Sequence, residues 1–121
     1  MNKIKNIHII GGGTIAHITN HFAVCAPAYG STANALKRLC RSKFDNCNIF
    51  LSLTKMAGGM DLETNEDVFN YINTLKENKN TKIIFFNCAL VDWEPTELIT
   101  ENADGEDNVI NNFGKYNLRL E

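Results

Sequence analysis

No run of apolar residues in this sequence approaches the roughly 20 needed to cross a bilayer, so no transmembrane helix is predicted. The opening Met1-Asn2-Lys3-Ile4-Lys5 leads into an apolar run of strand length with no small-residue cleavage site, and a signal peptide is not expected. Cysteine is present as Cys25, Cys40, Cys47 and Cys88, but never as a C-x-x-C pair. Zinc ribbons and thioredoxin-like redox motifs need such pairs, so neither is expected. Cys47 and Cys88 sit in apolar runs and read as small buried hydrophobes, Cys25 as a buried or half-buried thiol, and the chain as a cytoplasmic protein in a reducing compartment. Positive charge is also scarce: 12 Lys and Arg stand against 14 Asp and Glu, a net charge of -2. Affinity for a phosphate backbone needs clustered cations, so nucleic acid is not the expected partner. No G-K-[ST] occurs, which excludes a Walker loop. Internal repeats and low-complexity linkers are missing too.

What is present reads as one α/β domain over residues 1–121. Residues 4–10 predict a first strand, rich in isoleucine and stopped by Gly11-Gly12-Gly13. Residues 14–29 show neither a helical nor a strand period, and Pro27 opposes a long helix starting at the glycines. Ser31 or Thr32 is placed to cap a helix running to about Ser42, with Ala33, Leu36, Leu39 and Cys40 at helical spacing. Residues 47–53 form a second strand. Gly58-Gly59 marks a loop, and Thr64 with Asp67 predicts a capping box for a helix ending near Asn78, with Val68, Phe69, Ile72 and Leu75 on one face. Residues 82–88 are nearly continuously apolar, as a strand covered on both faces would be. Residues 100–112 are acidic and Asn-rich and read as a loop, followed by a short strand at 116–120. Alternating strands and helices predict a Rossmann-like, doubly wound, mostly parallel sheet in three layers. A chain ending at Glu121 is short for that architecture, which points to a C-terminally shortened form or one relying on a partner subunit.

Chemistry is expected where the first strand ends. Ligands of open α/β sheets bind at the carboxyl ends of the strands, where glycines let main-chain N–H groups approach a phosphate. Gly11, Gly12 and Gly13 fit that role, and Thr14 adds a hydroxyl donor. Gly11, Gly13 and Ala16 also satisfy G-x-G-x-x-G/A, but the second strand ends in Thr54-Lys55 with no carboxylate for a ribose hydroxyl. An NAD-dependent oxidoreductase is therefore the third reading. His17 and His21 are four apart, yet no carboxylate follows and no helix is predicted there; they read as surface or loop histidines, and no metal site is assigned. Asp92-Trp93-Glu94-Pro95 follows the third strand and lies on the glycine rim, either as a turn plugged by an aromatic or as a carboxylate and an indole lining a nucleotide pocket.

Together these pieces resemble the phosphopantothenate–cysteine ligase family, the synthetase half of the bacterial bifunctional flavoprotein of coenzyme A synthesis. The likeness rests on Gly12-Gly13-Thr14 after a strand, Ile18-Thr19-Asn20-His21, Gly30 opening a helix, Thr64-Asn65-Glu66-Asp67 before a helix, and Asn87-Cys88-Ala89-Leu90-Val91-Asp92-Trp93-Glu94-Pro95. Residues 115–121 also resemble a family strand that alternates Leu with polar residues. The resemblance implies that CTP or ATP is a substrate, with Mg2+ offsetting its charge. A carboxylate of a phosphorylated metabolite attacks the α-phosphate and releases pyrophosphate; an amine then displaces the nucleotide. By the same resemblance, Asn20 contacts the acylated intermediate as the catalytic residue. Gly11, Gly12, Gly13, Thr14, Ala89 and Asp92 hold the nucleotide, and the protein forms a homodimer. The alternative reading is a non-catalytic nucleotide-binding or regulatory module.

Overall fold

A computed structural model describes residues 4–93, 95, 96, 98–101 and 107–110. The expected strand at 116–120 lies outside them. Three parallel strands form the main sheet in the order β4-β1-β5: β1 is Lys5–Gly13, β4 is Cys47–Leu53 and β5 is Thr81–Ala89. Between β1 and β4 come a hairpin, β2 (Ile15–Thr19) with β3 (Phe22–Cys25), and the helix α1 (Ser31–Lys43). Between β4 and β5 come a 3-10 turn at Lys55–Ala57 and the helix α2 (Asn65–Glu77). A second hairpin, β6 (Leu98–Glu101) with β7 (Asp107–Ile110), follows β5.

The pleat of β1 sorts its isoleucines between the two helices. Ile7 and Ile9 are fully buried with Ala33 and Cys40 of α1, and Leu36, Ile49, Leu51 and Phe85 pack around them. Ile10, one residue out of phase, is buried instead with Leu62 and with Val68 and Leu75 of α2. The chain is thus an α/β protein whose small parallel sheet is flanked by helices. The apolar run of 82–88 predicts a strand covered on both faces, and β5 packs on both: Ile83 and Phe85 lie against the α1 cluster and Ile84 and Cys88 against the α2 cluster, each partly buried, while the fully buried strand is β1. Among the described residues β5 lies at a border of the sheet, and its Phe86 is 43% exposed. Composition reports what the faces of a strand prefer, not how many neighbours flank it.

Both helices start as local chemistry dictates, one of them not as expected. For α2, Thr64 Oγ1 accepts from Asp67 N at 3.1 Å while Asp67 Oδ2 accepts from Thr64 N at 3.0 Å, the reciprocal pair the sequence predicts. Phe69 departs from the predicted apolar face and is exposed. For α1, neither Ser31 nor Thr32 is the cap. Gly30 takes that position at φ 82, and a side chain there would press on Leu53 and Ala57. The crowding at this corner selects glycine and leaves the first turn of α1 with no side-chain cap.

Two further expectations are corrected. Residues 14–29, which show no period, contain the β2–β3 hairpin. Neither strand has a cleanly buried face, and the register shifts between His17 and Thr19, so alternation is erased in the sequence. The acidic stretch read as a loop at 100–112 contributes residues to β6 and to all of β7. Main-chain pairing across a hairpin does not require apolar side chains.

His8 is the anomaly of the core. It is 8% exposed, neither ring nitrogen has a hydrogen-bond partner among the described residues, and its ring stacks on Phe50 with centroids 5.1 Å apart. Burial holds its pKa below the ordinary 6.5. The unfolded chain therefore binds a proton that the folded chain refuses once the pH falls below about 6.5. Stability is full above that pH and declines as the pH drops towards the folded value. His8→Phe, which keeps a ring against Phe50, is expected to flatten the decline; melting temperatures of both proteins at pH 7.5 and 5 check it.

Candidate functional site at the carboxyl rim

Gly11, Gly12 and Gly13 do not form a loop. They are the last three residues of β1, buried, and in register with Asn87, Cys88 and Ala89 of β5. The reason is steric. A Cβ on Gly11 would collide with Cβ of Ala33, one on Gly12 with Oγ1 of Thr54, and one on Gly13 with the carbonyl oxygen of Ala26. Gly12 also sits at φ 109, where only glycine is unstrained. Each glycine thus admits a different neighbour: α1, the end of β4, and the chain leaving β3. Met56 and Ala57 of the 3-10 turn close over the same spots, each 2.9 Å from such a Cβ.

Thr14 is fully buried, and its hydroxyl is committed inside the protein. Oγ1 donates to Asn65 Oδ1 at 2.5 Å and accepts from Val91 N at 2.8 Å, while Asn65 Nδ2 donates to the Val91 carbonyl at 2.9 Å. Thr14 N donates to the carbonyl of Ala89. The rim therefore joins Thr14 and Ala89 directly and fixes Val91, the neighbour of Asp92, through Asn65. Asp92 itself is exposed, as is Asn20 in the turn between β2 and β3. No hydrogen bond or ion pair links Asn20 or Asp92 to the glycines or to Thr14 among the described residues.

Sequence reasoning missed three residues here. Asn65 sits inside the quoted Thr64–Asp67 stretch, but nothing local reveals that it bridges two strands' ends 26 and 51 residues away. Glu63 takes His17 Nε2 at 2.6 Å and Lys55 Nζ at 3.3 Å. His17 is accordingly a half-buried strand residue with a carboxylate partner, whereas His21 is exposed as expected. Thr54 is fully buried at the end of β4, and its Oγ1 has no hydrogen-bond partner among the described residues.

The rim also carries exposed apolar side chains where the chain leaves the strands. Tyr29, Met60, Leu90 and Trp93 are all exposed, Trp93 at 82%. Cys25 is exposed on β3, against the expectation of a shielded thiol, because that strand has no covered face. Cys88 is half-buried, and burial pushes its thiol up to about 11, which keeps it protonated near neutrality. Among the described residues no group of three or more His, Cys, Asp or Glu converges as a metal site, and no helix is long and apolar enough to cross a membrane.

No family model and no curated protein sequence matches the chain.

Proposed function

We propose that the chain binds a nucleotide, CTP or ATP, and a phosphorylated metabolite at this rim, as a ligase-like domain of Rossmann-like, doubly wound, three-layer design. The carrying observation is where α1 begins. Its first turn has no side-chain cap and abuts Gly11 through Ala33, at the carboxyl end of the central strand. Free N–H groups in that position attract phosphate. The hydroxyl of buried Thr54, unpartnered among the described residues and packed against Gly12 on the same rim, is a second group in want of an acceptor or donor. Exposed Tyr29 and Trp93 supply flat surface for a base.

In this reading Gly11 contributes by letting α1 come close, and Gly12 and Gly13 by admitting the ends of β4 and β3, rather than by lending their own amides. Asp92 is the nucleotide-side carboxylate, held in place through Val91, Asn65 and Thr14. Magnesium is bound by one or two carboxylates together with substrate phosphates, so Asp92 is its candidate contact when it arrives with the triphosphate. Asn20 offers a neutral amide to a developing oxyanion.

Thermal shift at millimolar CTP, ATP, NAD, FMN or phosphopantothenate tests the proposal. A ligand at 100 times its Kd stabilises by about 2.7 kcal/mol, so CTP or ATP is expected to raise the melting temperature by several degrees. Asp92→Ala is expected to remove that rise without moving the unliganded value, because Asp92 is exposed. No stabilisation by any of the five compounds sinks the proposal.

The alternative, a non-catalytic binding module, is favoured by the sealed state of the glycines and of the Thr14 hydroxyl. Release of CMP and pyrophosphate from CTP, abolished in Asn20→Ala, excludes it.

A further inference from the structure

Beyond the rim, three segments bring together titratable side chains to which the nucleotide site gives no task. His17 stands on β2, three residues before Asn20; Lys55 follows Thr54 at the end of β4; Glu63 lies two residues before α2. Main-chain bonds fix the segments against one another. Ile15 N donates to the Glu63 carbonyl at 2.9 Å, and Lys55 N donates to the Leu62 carbonyl at 2.7 Å. His17 Nε2 thereby lies 2.6 Å from Glu63 Oε1, and Lys55 Nζ lies 3.3 Å from Glu63 Oε2.

This pairing decides the tautomer of the ring. A carboxylate has no hydrogen to give, so Nε2 carries it and Nδ1 keeps a bare lone pair. Nδ1 has no hydrogen-bond partner among the described residues. Imidazole and carboxylate are both half-buried, sheltered enough to be fixed and open enough for a guest to reach. An imidazole held by a carboxylate, with its other nitrogen bare, is suited to take up a proton during a reaction. The partner charge steadies the imidazolium that forms.

We propose, on the ligase reading above, that His17 is the base of the amine-transfer step, with Glu63 positioning it and Lys55 holding Glu63. The amine nitrogen attacks the acyl carbon of the acyl-nucleotide, and a C–N bond forms. The C–O bond to the phosphate breaks, its electron pair leaving with the nucleoside monophosphate, and the surplus N–H proton passes to His17 Nδ1. One hairpin then carries both this base and Asn20, the amide assigned to the oxyanion. The first half of the reaction needs no such base, because a carboxylate attacks phosphorus with its own charge.

Single-turnover assays with CTP or ATP, phosphopantothenate and either cysteine or hydroxylamine separate the two halves. His17→Gln is expected to release pyrophosphate at the parent rate and to form amide from cysteine about a hundredfold more slowly. Hydroxylamine is unprotonated at neutral pH and needs no strong base, so hydroxamate formation is expected to stay near the parent rate. Glu63→Gln keeps a partner for Nε2 but removes the charge. It is expected to show the same split with a smaller loss, and it carries the test if His17→Gln proves unstable. Variants that form amide like the parent overturn the proposal. Variants that lose hydroxamate along with amide overturn it too, marking the pair as a brace for the hairpin. A parent chain that releases no pyrophosphate overturns the ligase reading itself, and this step with it.

Discussion

Gly12→Ala and Gly13→Ala are each expected to destabilise the unliganded protein by about 3 kcal/mol or more, a large part of the roughly 5–15 kcal/mol that holds a domain together. At Gly13 the obstacle is the Ala26 carbonyl, a backbone atom that cannot swing aside, with Met56 Sδ close behind. At Gly12 two penalties combine. The backbone sits at φ 109, costing any other residue about 1–3 kcal/mol, and the new methyl meets both Thr54 and Ala57. Overpacking of this kind costs about 1–3 kcal/mol more. The melting temperature should fall on the order of 10 °C. Gly11→Ala is the informative control, because its obstacle is the side chain of Ala33. Adding Ala33→Gly should recover much of the loss, less the roughly 1 kcal/mol that glycine costs inside a helix. Thermal unfolding without ligand decides the matter. Variants that melt like the parent but no longer respond to nucleotide would mean that the glycine amides serve the ligand directly.

Thr14→Val is expected to be almost as damaging, although it keeps the branched shape and adds little volume. The substitution strands the buried Val91 N–H and deprives Asn65 Oδ1 of its donor. A buried polar group without a partner costs about 1–3 kcal/mol, so a total of about 2–4 kcal/mol is anticipated from urea unfolding. Asn65→Ala breaks the same network from its other end, removing the bond to the Val91 carbonyl as well. The double variant should then lose clearly less than the sum of the two, since both dismantle one set of bonds. Hydrogen exchange gives a local readout: the amide of Val91 should exchange much faster in Thr14→Val. Small, additive losses with Val91 still protected would show that the network is not what holds the segment bearing Asp92. Since Asp92 makes no bond of its own to the rim among the described residues, its position depends on this tether.

The two helices, the three parallel strands and the capping box were legible because each is written in local code. Period, cap residues and β-branched runs act within a few positions. The β2–β3 hairpin was not legible, because a strand pair with no covered face leaves no hydrophobic alternation to read. Nor was the border position of β5 among the described residues, since its apolar run describes its faces and not its flanks. Among the candidate site residues, Gly11, Gly12, Gly13, Thr14, Ala89 and Asp92 do lie on or beside one rim. Their individual roles depend on partners dozens of residues distant.

By itself, then, the amino-acid sequence determined the alternation of strand and helix, the start of α2 and the rim on which chemistry is sought. Only the tertiary structure decided that the triple glycine is a packing surface, that Asn65 ties Thr14 to Val91, and that Glu63 gathers His17 and Lys55. The division has a plain physical cause. Local propensities are summed over neighbours in the chain, whereas the space a missing Cβ leaves, and the partner a buried hydroxyl finds, exist only once distant segments have come together.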